Sequence, residues 1–337
     1  KAVAESVNNP EDYKYSLVDS EEMLNAVVDY YADRYNTVIK ADEITAVRGT
    51  QEGMAHLGMA ILNPGDVVLL PDPGYPVFEA GSYLGGAEVY YYPLLRENNF
   101  LPVIEDIPED ILNKTKYIVL SYPSNPVGAS APKEMYVRMI EYAKKYNFAI
   151  INDNAYSDII FDGREGFSFL SLPGAKDVGV EFFSLSKSYN VTGLRISFCI
   201  GNKSIIDAFK LLRSQYDFGM SYPAQKAAIA ALRGPRDSVK AQCAEYQRRR
   251  DALLNGLRKY GWNVPDSHGT MFVWLPVPEG YTSASFTEAL MDKAGVIGTP
   301  GTAFGPLGEG YIRFALTKSA EELAVIADVI GQSGVLS

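Results

Sequence analysis

Two cysteines and two histidines in 337 residues are the chain's plainest shortages. Cys199 and Cys243 cannot build a disulfide framework, so a reducing compartment, the cytoplasm, is expected. His56 and His268 belong to no HExxH and no Cys/His cluster, so no metal site is expected and both read as structural. No apolar run approaches the ~18 residues of a membrane span. Basic residues are also short: 31 Lys and Arg against 41 Asp and Glu give a net charge of −10. That balance argues against a nucleic-acid surface. The densest basic run, Arg248-Arg249-Arg250, follows a helix-like stretch and reads as a solvated helix face. No signal peptide is visible, but the chain begins at a lysine, so an N-terminal segment is expected to lie outside it.

What is present suits a globular protein. At 47% hydrophobic and 21% charged, the chain can bury a substantial core, and its length suggests about two domains. Met23, Leu24, Val27, Val28 and Tyr31 recur at helical spacing, which predicts an amphipathic helix over 20–34. Short apolar runs follow at Val67–Leu70, Ala87–Tyr91, Tyr117–Leu120, Phe148–Ile151, Val180–Phe183 and Ile196–Ile200. Apolar on both faces and alternating with helical segments, they read as central strands of a mostly parallel sheet sandwiched by helices, an α/β fold. Helical stretches then dominate to about residue 259. Strands at Met271–Leu275 and Tyr311–Ala315 alternate with helices at 283–293 and 318–331, the pattern of a smaller α+β domain. The expected division is a large domain at 36–230 and a small one from 1–35 plus 231–337.

The stretch Ser184-Leu185-Ser186-Lys187-Ser188-Tyr189-Asn190-Val191-Thr192-Gly193-Leu194-Arg195 follows one strand-like run. A partly desolvated lysine can lose its proton and form a Schiff base with a carbonyl. Arg195 and the hydroxyls suit a phosphate. Pyridoxal phosphate (PLP), an aldehyde carrying a phosphate, needs both features.

Ligands in open α/β sheets bind beyond the carboxyl ends of strands, and polar residues cluster there. Arg48-Gly49-Thr50-Gln51 follows Ile44–Val47 and opens a helix, whose free N–H groups could hold a phosphate; a plain helix cap is the other reading. Asn125-Pro126-Val127-Gly128 could be a turn and nothing more. Asp153, with Tyr156 three residues on, is a carboxylate that needs a partner or else an N-cap. Tyr75 could stack on a flat ring or simply pack. Arg313, inside a strand-like run, needs an anion, and a carboxylate suits its fork.

In this order, the pieces resemble the fold-type-I PLP-dependent enzymes, specifically the class I/II aminotransferases, from Tyr15 to Leu316. The Ser184–Arg195 stretch resembles that family's lysine motif, and Asn125-Pro126-Val127-Gly128 its Asn-Pro-Thr-Gly. Pro300-Gly301-Thr302-Ala303-Phe304-Gly305 and Tyr311-Ile312-Arg313-Phe314 resemble its C-terminal segments. The branch that looks nearest is the LL-diaminopimelate aminotransferase-like one.

The resemblance implies that Lys187 tethers PLP and, once displaced, acts as the base. It implies that Asp153 pairs with the pyridine nitrogen, that Asn125 and Tyr156 contact the ring's 3-oxygen, and that Tyr75 stacks on the ring. The Gly49-Thr50-Gln51 loop, Ser184, Ser186 and Arg195 would hold the phosphate. Tyr15 would reach the phosphate of a neighbouring subunit in a homodimer. Arg313, with Asn125, would bind the substrate's carboxylate. The implied activity is ping-pong transfer of an α-amino group between an amino acid and a 2-oxo acid. A PLP-dependent lyase or decarboxylase is the alternative, since the fold serves those reactions too. The ligand-sensing half of a transcription regulator is a further alternative, for which no DNA-binding domain is visible. Ser197 stands where many relatives have glycine and is expected to be a tolerated strand position.

Overall fold

The computed structural model describes residues 1–336. Its seven-stranded sheet comprises β1 (Ile44–Val47), β2 (Val67–Asp72), β3 (Glu88–Pro93), β4 (Thr115–Ser121), β5 (Ala149–Asp153), β6 (Gly179–Ser184) and β7 (Ser197–Gly201). They lie in the order β1-β7-β6-β5-β4-β2-β3. Only β7 runs against the rest, antiparallel to both β1 and β6.

Alternation along these strands explains why they read as continuous apolar runs. Val67, Leu69, Ile118, Leu120, Ile150, Phe183 and Phe198 pack into one buried cluster. Their neighbours Val68, Leu70, Tyr117, Val119, Ile151, Phe182 and Cys199 pack into another. Successive side chains point to opposite faces, and helices cover both, so each position is apolar. The run at Ala87–Tyr91 differs from its expectation. As β3 it is an edge strand, paired only with β2, and Glu88, Tyr91 and Pro93 are exposed.

The helix expected over 20–34 spans Glu21–Tyr35, capped by Ser20, whose hydroxyl accepts from the Met23 N–H. Its buried face (Met23, Val27, Tyr30, Tyr31) belongs to the same cluster as the large sheet. A second sheet holds β8 (Phe272–Pro276), β9 (Thr299–Pro300) and β10 (Tyr311–Ala315) in the antiparallel order β8-β10-β9. The two-residue β9 carries no legible apolar period. Helices Ser283–Ala294 and Ala320–Gln332 share a core with this sheet and with the helix Asp237–Lys259, through Leu253, Leu257, Leu290 and Leu323.

That 23-residue helix corrects the reading of Arg248-Arg249-Arg250. At about 100° per residue, positions 248 and 250 face nearly opposite directions. Arg248 is solvated, with 54% of its side chain exposed, but Arg250 is only 4% exposed. Arg250 grips Asp162 through both terminal nitrogens at 2.7 Å and donates to the Ser267 carbonyl at 2.8 Å. Arg250→Ala is expected to cost about 2 kcal/mol, because it leaves the Ser267 carbonyl without a donor and Asp162 with Arg164 alone. Arg248→Ala should change stability far less, as exposed pairs do. Urea denaturation of the two variants checks the contrast.

Candidate active site

Because six strands run one way, their carboxyl ends gather on one side, and the loops there carry the polar residues. β1 leads into Arg48-Gly49, β2 into Pro73-Gly74-Tyr75, β4 into Tyr122–Asn125, β5 ends at Asp153 and β6 at Ser184. β10 of the small sheet adds Arg313 to the same place, since Arg313 Nη1 donates to Asn125 Oδ1 at 2.8 Å.

One end of the site is built for an anion. Gly49 precedes the helix Thr50–Ile61 with φ +97°, and no side chain caps that helix. A Cβ at Gly49 would come within 1.9 Å of Arg195 Nη2, so only glycine lets the guanidinium lie against the loop. Arg195 is anchored by donating to the Thr192 carbonyl at 3.1 Å. Ser184 caps the short helix Leu185–Ser188, its hydroxyl accepting from the Ser186 N–H at 3.2 Å. The Ser186 hydroxyl itself is buried with no partner among the described residues. Free backbone donors at the start of the Thr50–Ile61 helix, the Arg195 guanidinium against Gly49 and the Ser184 and Ser186 hydroxyls are the kinds of group with which proteins hold phosphate.

The middle of the site holds two titratable groups moved towards neutrality. Asp153 is buried, and its Oδ1 accepts from the Ala155 N–H at 3.3 Å. No helix follows it, so it is not an N-cap. Burial pushes its carboxyl up to about 7; the Ala155 N–H and the Lys187 charge oppose the push, and the Glu181 carboxylate adds to it. Burial also lowers the Lys187 pKa, with the Arg195 charge in support and Asp153 against. Lys187 Nζ lies 6.0 Å from the Tyr156 ring centroid. The Tyr156 phenol is buried and raised above its ordinary pKa, by burial first and then by Asp153.

The other end is set by Arg313. Its guanidinium carbon sits 4.0 Å from the Phe272 ring centroid and 4.5 Å from that of Phe304. Its Nε is buried without a partner among the described residues. Burial lowers the Arg313 pKa, while Tyr156 and Tyr75 are near enough to raise it. A guanidinium held between two aromatic faces, with one fixed nitrogen and one orphaned, lacks an anion.

Most of the residues singled out in the sequence therefore converge: Gly49, Thr50, Gln51, Ser184, Ser186 and Arg195 at one end, Asp153, Lys187, Tyr156 and Tyr75 between, Asn125 and Arg313 at the other. Tyr15 is different. It is 76% exposed, and its ring packs on Phe218 with centroids 4.9 Å apart. Other contributors were not read in the sequence. Gln242 Nε2, on the long helix, donates to the Lys187 carbonyl at 2.5 Å, and nothing in a lone glutamine announces this. Glu181 lies across from Asn152 in the β5–β6 pair and accepts from the Asn152 amide at 3.0 Å. Ser197, named in the sequence only as a tolerated strand position, does lie in a strand; it is fully buried, and its hydroxyl donates to Ser184 Oγ at 2.9 Å.

Comparisons with known proteins converge too. The family model described as aminotransferase class I and II matches residues 1–330. LL-diaminopimelate aminotransferase from Dehalococcoides mccartyi (strain 195) is 45% identical over 323 residues, covering 95% of this chain and 83% of that protein. The enzyme of the same name from Aquifex aeolicus is 42% identical over 332 residues, covering 98% of this chain and 86% of its own length. Among solved structures, substrate-bound BacF from Bacillus subtilis superposes with a TM-score of 0.96 at 34% identity, covering 99% of this chain and 86% of that one.

The raised Asp153 pKa has a measurable consequence in the ligand-free protein. An unfolded chain releases this proton near the ordinary value of 3.8, and the folded one holds it to about 7. The folded state therefore binds more protons in that window, and this group's contribution to stability falls as pH rises through it. Asp153→Asn is expected to remove that fall. The ligand-free variant should melt with the wild type at about pH 4 and above it at about pH 8, as calorimetry would show.

Proposed function

The chain belongs to the class I and II aminotransferases and is an aminotransferase; on that premise we propose how its residues hold the cofactor and which donor it takes. Members of the family depend on PLP, and this site fits that group on its own chemistry. The Gly49–Arg195 cradle and the orphaned Ser186 hydroxyl want a phosphate. The buried Asp153 wants a cation, which a protonated pyridine nitrogen would supply. Lys187, its pKa lowered by burial, is the amine to tether an aldehyde. Gly49, Thr50, Gln51, Ser184, Ser186 and Arg195 would hold the phosphate, Asn125 and Tyr156 the ring oxygen, and Tyr75 the ring face.

When bound, PLP supplies an electron sink for the bond broken at the substrate's α-carbon. The chain's own residues do the rest. Arg313 takes the α-carboxylate, and the Asn125 contact fixes one guanidinium nitrogen so that the others are presented in a set orientation. Phe272 and Phe304 flank the guanidinium and keep water from it, which strengthens its hold on a carboxylate. Lys187 moves a proton at the α-carbon, and burial, which disfavours its charged form, favours the free amine that accepts it. A positive charge against Asp153 would favour its ionised form, and the carboxylate would in turn keep the proton on the ring nitrogen. Two half-reactions then move an α-amino group from an amino acid to a 2-oxo acid, a ping-pong cycle.

The observation that carries this reading is that Lys187 and Asp153 lie near each other and beside Tyr156, which in turn lies near the Asn125–Arg313 pair. For the donor, we take LL-diaminopimelate, on the strength of relatives of that name at 42–45% identity over nearly the whole chain. We also infer a homodimer. Tyr13, Tyr15, Leu17, Val18 and Phe218 are all more than half exposed, and Ser16 lies against Gly219, so these segments form one apolar surface. Such a surface suits a second copy, in whose phosphate cradle Tyr15 would lie. Free thiols at Cys199 and Cys243 agree with a cytoplasmic location.

The test is a donor screen with 2-oxoglutarate as acceptor. LL-diaminopimelate is expected to give glutamate one for one; release of ammonia or carbon dioxide without an acceptor would establish the lyase or decarboxylase reading. Arg313→Lys keeps the charge but loses the planar fork. It is expected to raise KM for the amino acid by roughly 10- to 100-fold, the worth of a charge-assisted hydrogen bond in a dry site. Steady-state kinetics against donor concentration reads it.

A further inference from the structure

Ser197 opens β7, and the register places it directly opposite Ser184 on one side and Val47 on the other. Directly opposed residues of an antiparallel pair project to the same face. Ser197 therefore sits between the two loops of the anion cradle, the one after β1 that carries Gly49 and the one after β6 that carries Ser184 and Ser186. Both serines are buried, Ser197 at 0% and Ser184 at 3% exposure.

A serine hydroxyl has one proton to give and two lone pairs to receive. Ser184 Oγ receives the Ser197 hydroxyl at 2.9 Å and the Ser186 N–H at 3.2 Å. Both lone pairs are then occupied, and only its proton is left to bond. We propose that Ser197 is a positioning residue that fixes Ser184 as a donor towards the phosphate of the bound cofactor. Glycine at 197 would leave a lone pair free and let the Ser184 proton turn back into the sheet. With serine there, the rotor is set before the anion arrives, so no binding energy goes into ordering it.

The inference rests on the PLP reading of the site, and the test separates the two. Apparent Kd values for PLP and for pyridoxal, which lacks the phosphate, are measured by absorbance titration of the cofactor-stripped full chain. Wild type, Ser197→Ala, Ser197→Gly, Ser184→Ala and the Ser184→Ala/Ser197→Ala double variant are compared. Both Ser197 variants are expected to weaken PLP about fivefold, the worth of one net hydrogen bond, and to leave pyridoxal unchanged. In the Ser184→Ala background, Ser197→Ala should cost nothing more. Unchanged or tighter PLP binding overturns the proposal, because it means that Ser184 donates to Ser197. An equal loss for pyridoxal, or the same fivefold loss without Ser184, overturns it as mere packing. A wild type that takes up neither ligand overturns the reading beneath and this inference with it.

Discussion

Six strands running in one direction, all but the β3 edge largely buried, are the constraint on which everything else hangs. Burial leaves little room along the strands for polar side chains without partners, so polar function is pushed to their ends. Parallel direction puts those ends on one side. Gly49, Tyr75, Asn125, Asp153 and Ser184 are far apart in sequence, yet each follows or closes a strand of this sheet. The single reversed strand, β7, brings its first residue, Ser197, to the same edge.

Two buried carboxylates, one strand apart, show how that edge differs from the sheet's interior. Glu181 is fully buried and receives four donors, from Tyr31, Ser168, Asn152 and the Phe169 N–H, at 2.7–3.0 Å. It is a satisfied structural group that ties the Glu21–Tyr35 helix to the sheet. Asp153 receives one N–H and has no cation held against it by an ion pair among the described residues. Natural sheets rarely bury a carboxylate so poorly provided for. On the proposed reading its incompleteness serves ligand binding, as do the orphaned Ser186 hydroxyl and Arg313 Nε. Stability given up at these positions is recovered when charge arrives, which links cofactor and substrate to the folded state.

Arg313 joins the two sheets. It stands in β10 of the small sheet, and its contact with Asn125 is to the loop after β4 of the large one. A carboxylate bound there would touch both parts at once, so substrate affinity depends on how they are held together. The helix Asp237–Lys259 shares the small sheet's core and carries Gln242 to the Lys187 carbonyl. The same helix is pinned by Arg250 to the turn at Asp162.

The sequence alone determined the class of fold, because strands buried on both faces must be short apolar runs, and the spacing of those runs survives in the linear order. It also marked Lys187, Asp153, Asn125 and Arg313 as candidates, since each is a polar or charged residue beside or within an apolar run. Only the tertiary structure decided pairing. That β3 lies at the edge, that Arg250 turns inward while Arg248 does not, and that Ser197 faces Ser184 all depend on register and on which face is covered. Register relates residues through hydrogen bonds between separate strands, and nothing in a single strand's composition encodes its partner. The orphaned atoms are invisible in the sequence for the same reason: a donor is unsatisfied only in relation to everything packed around it.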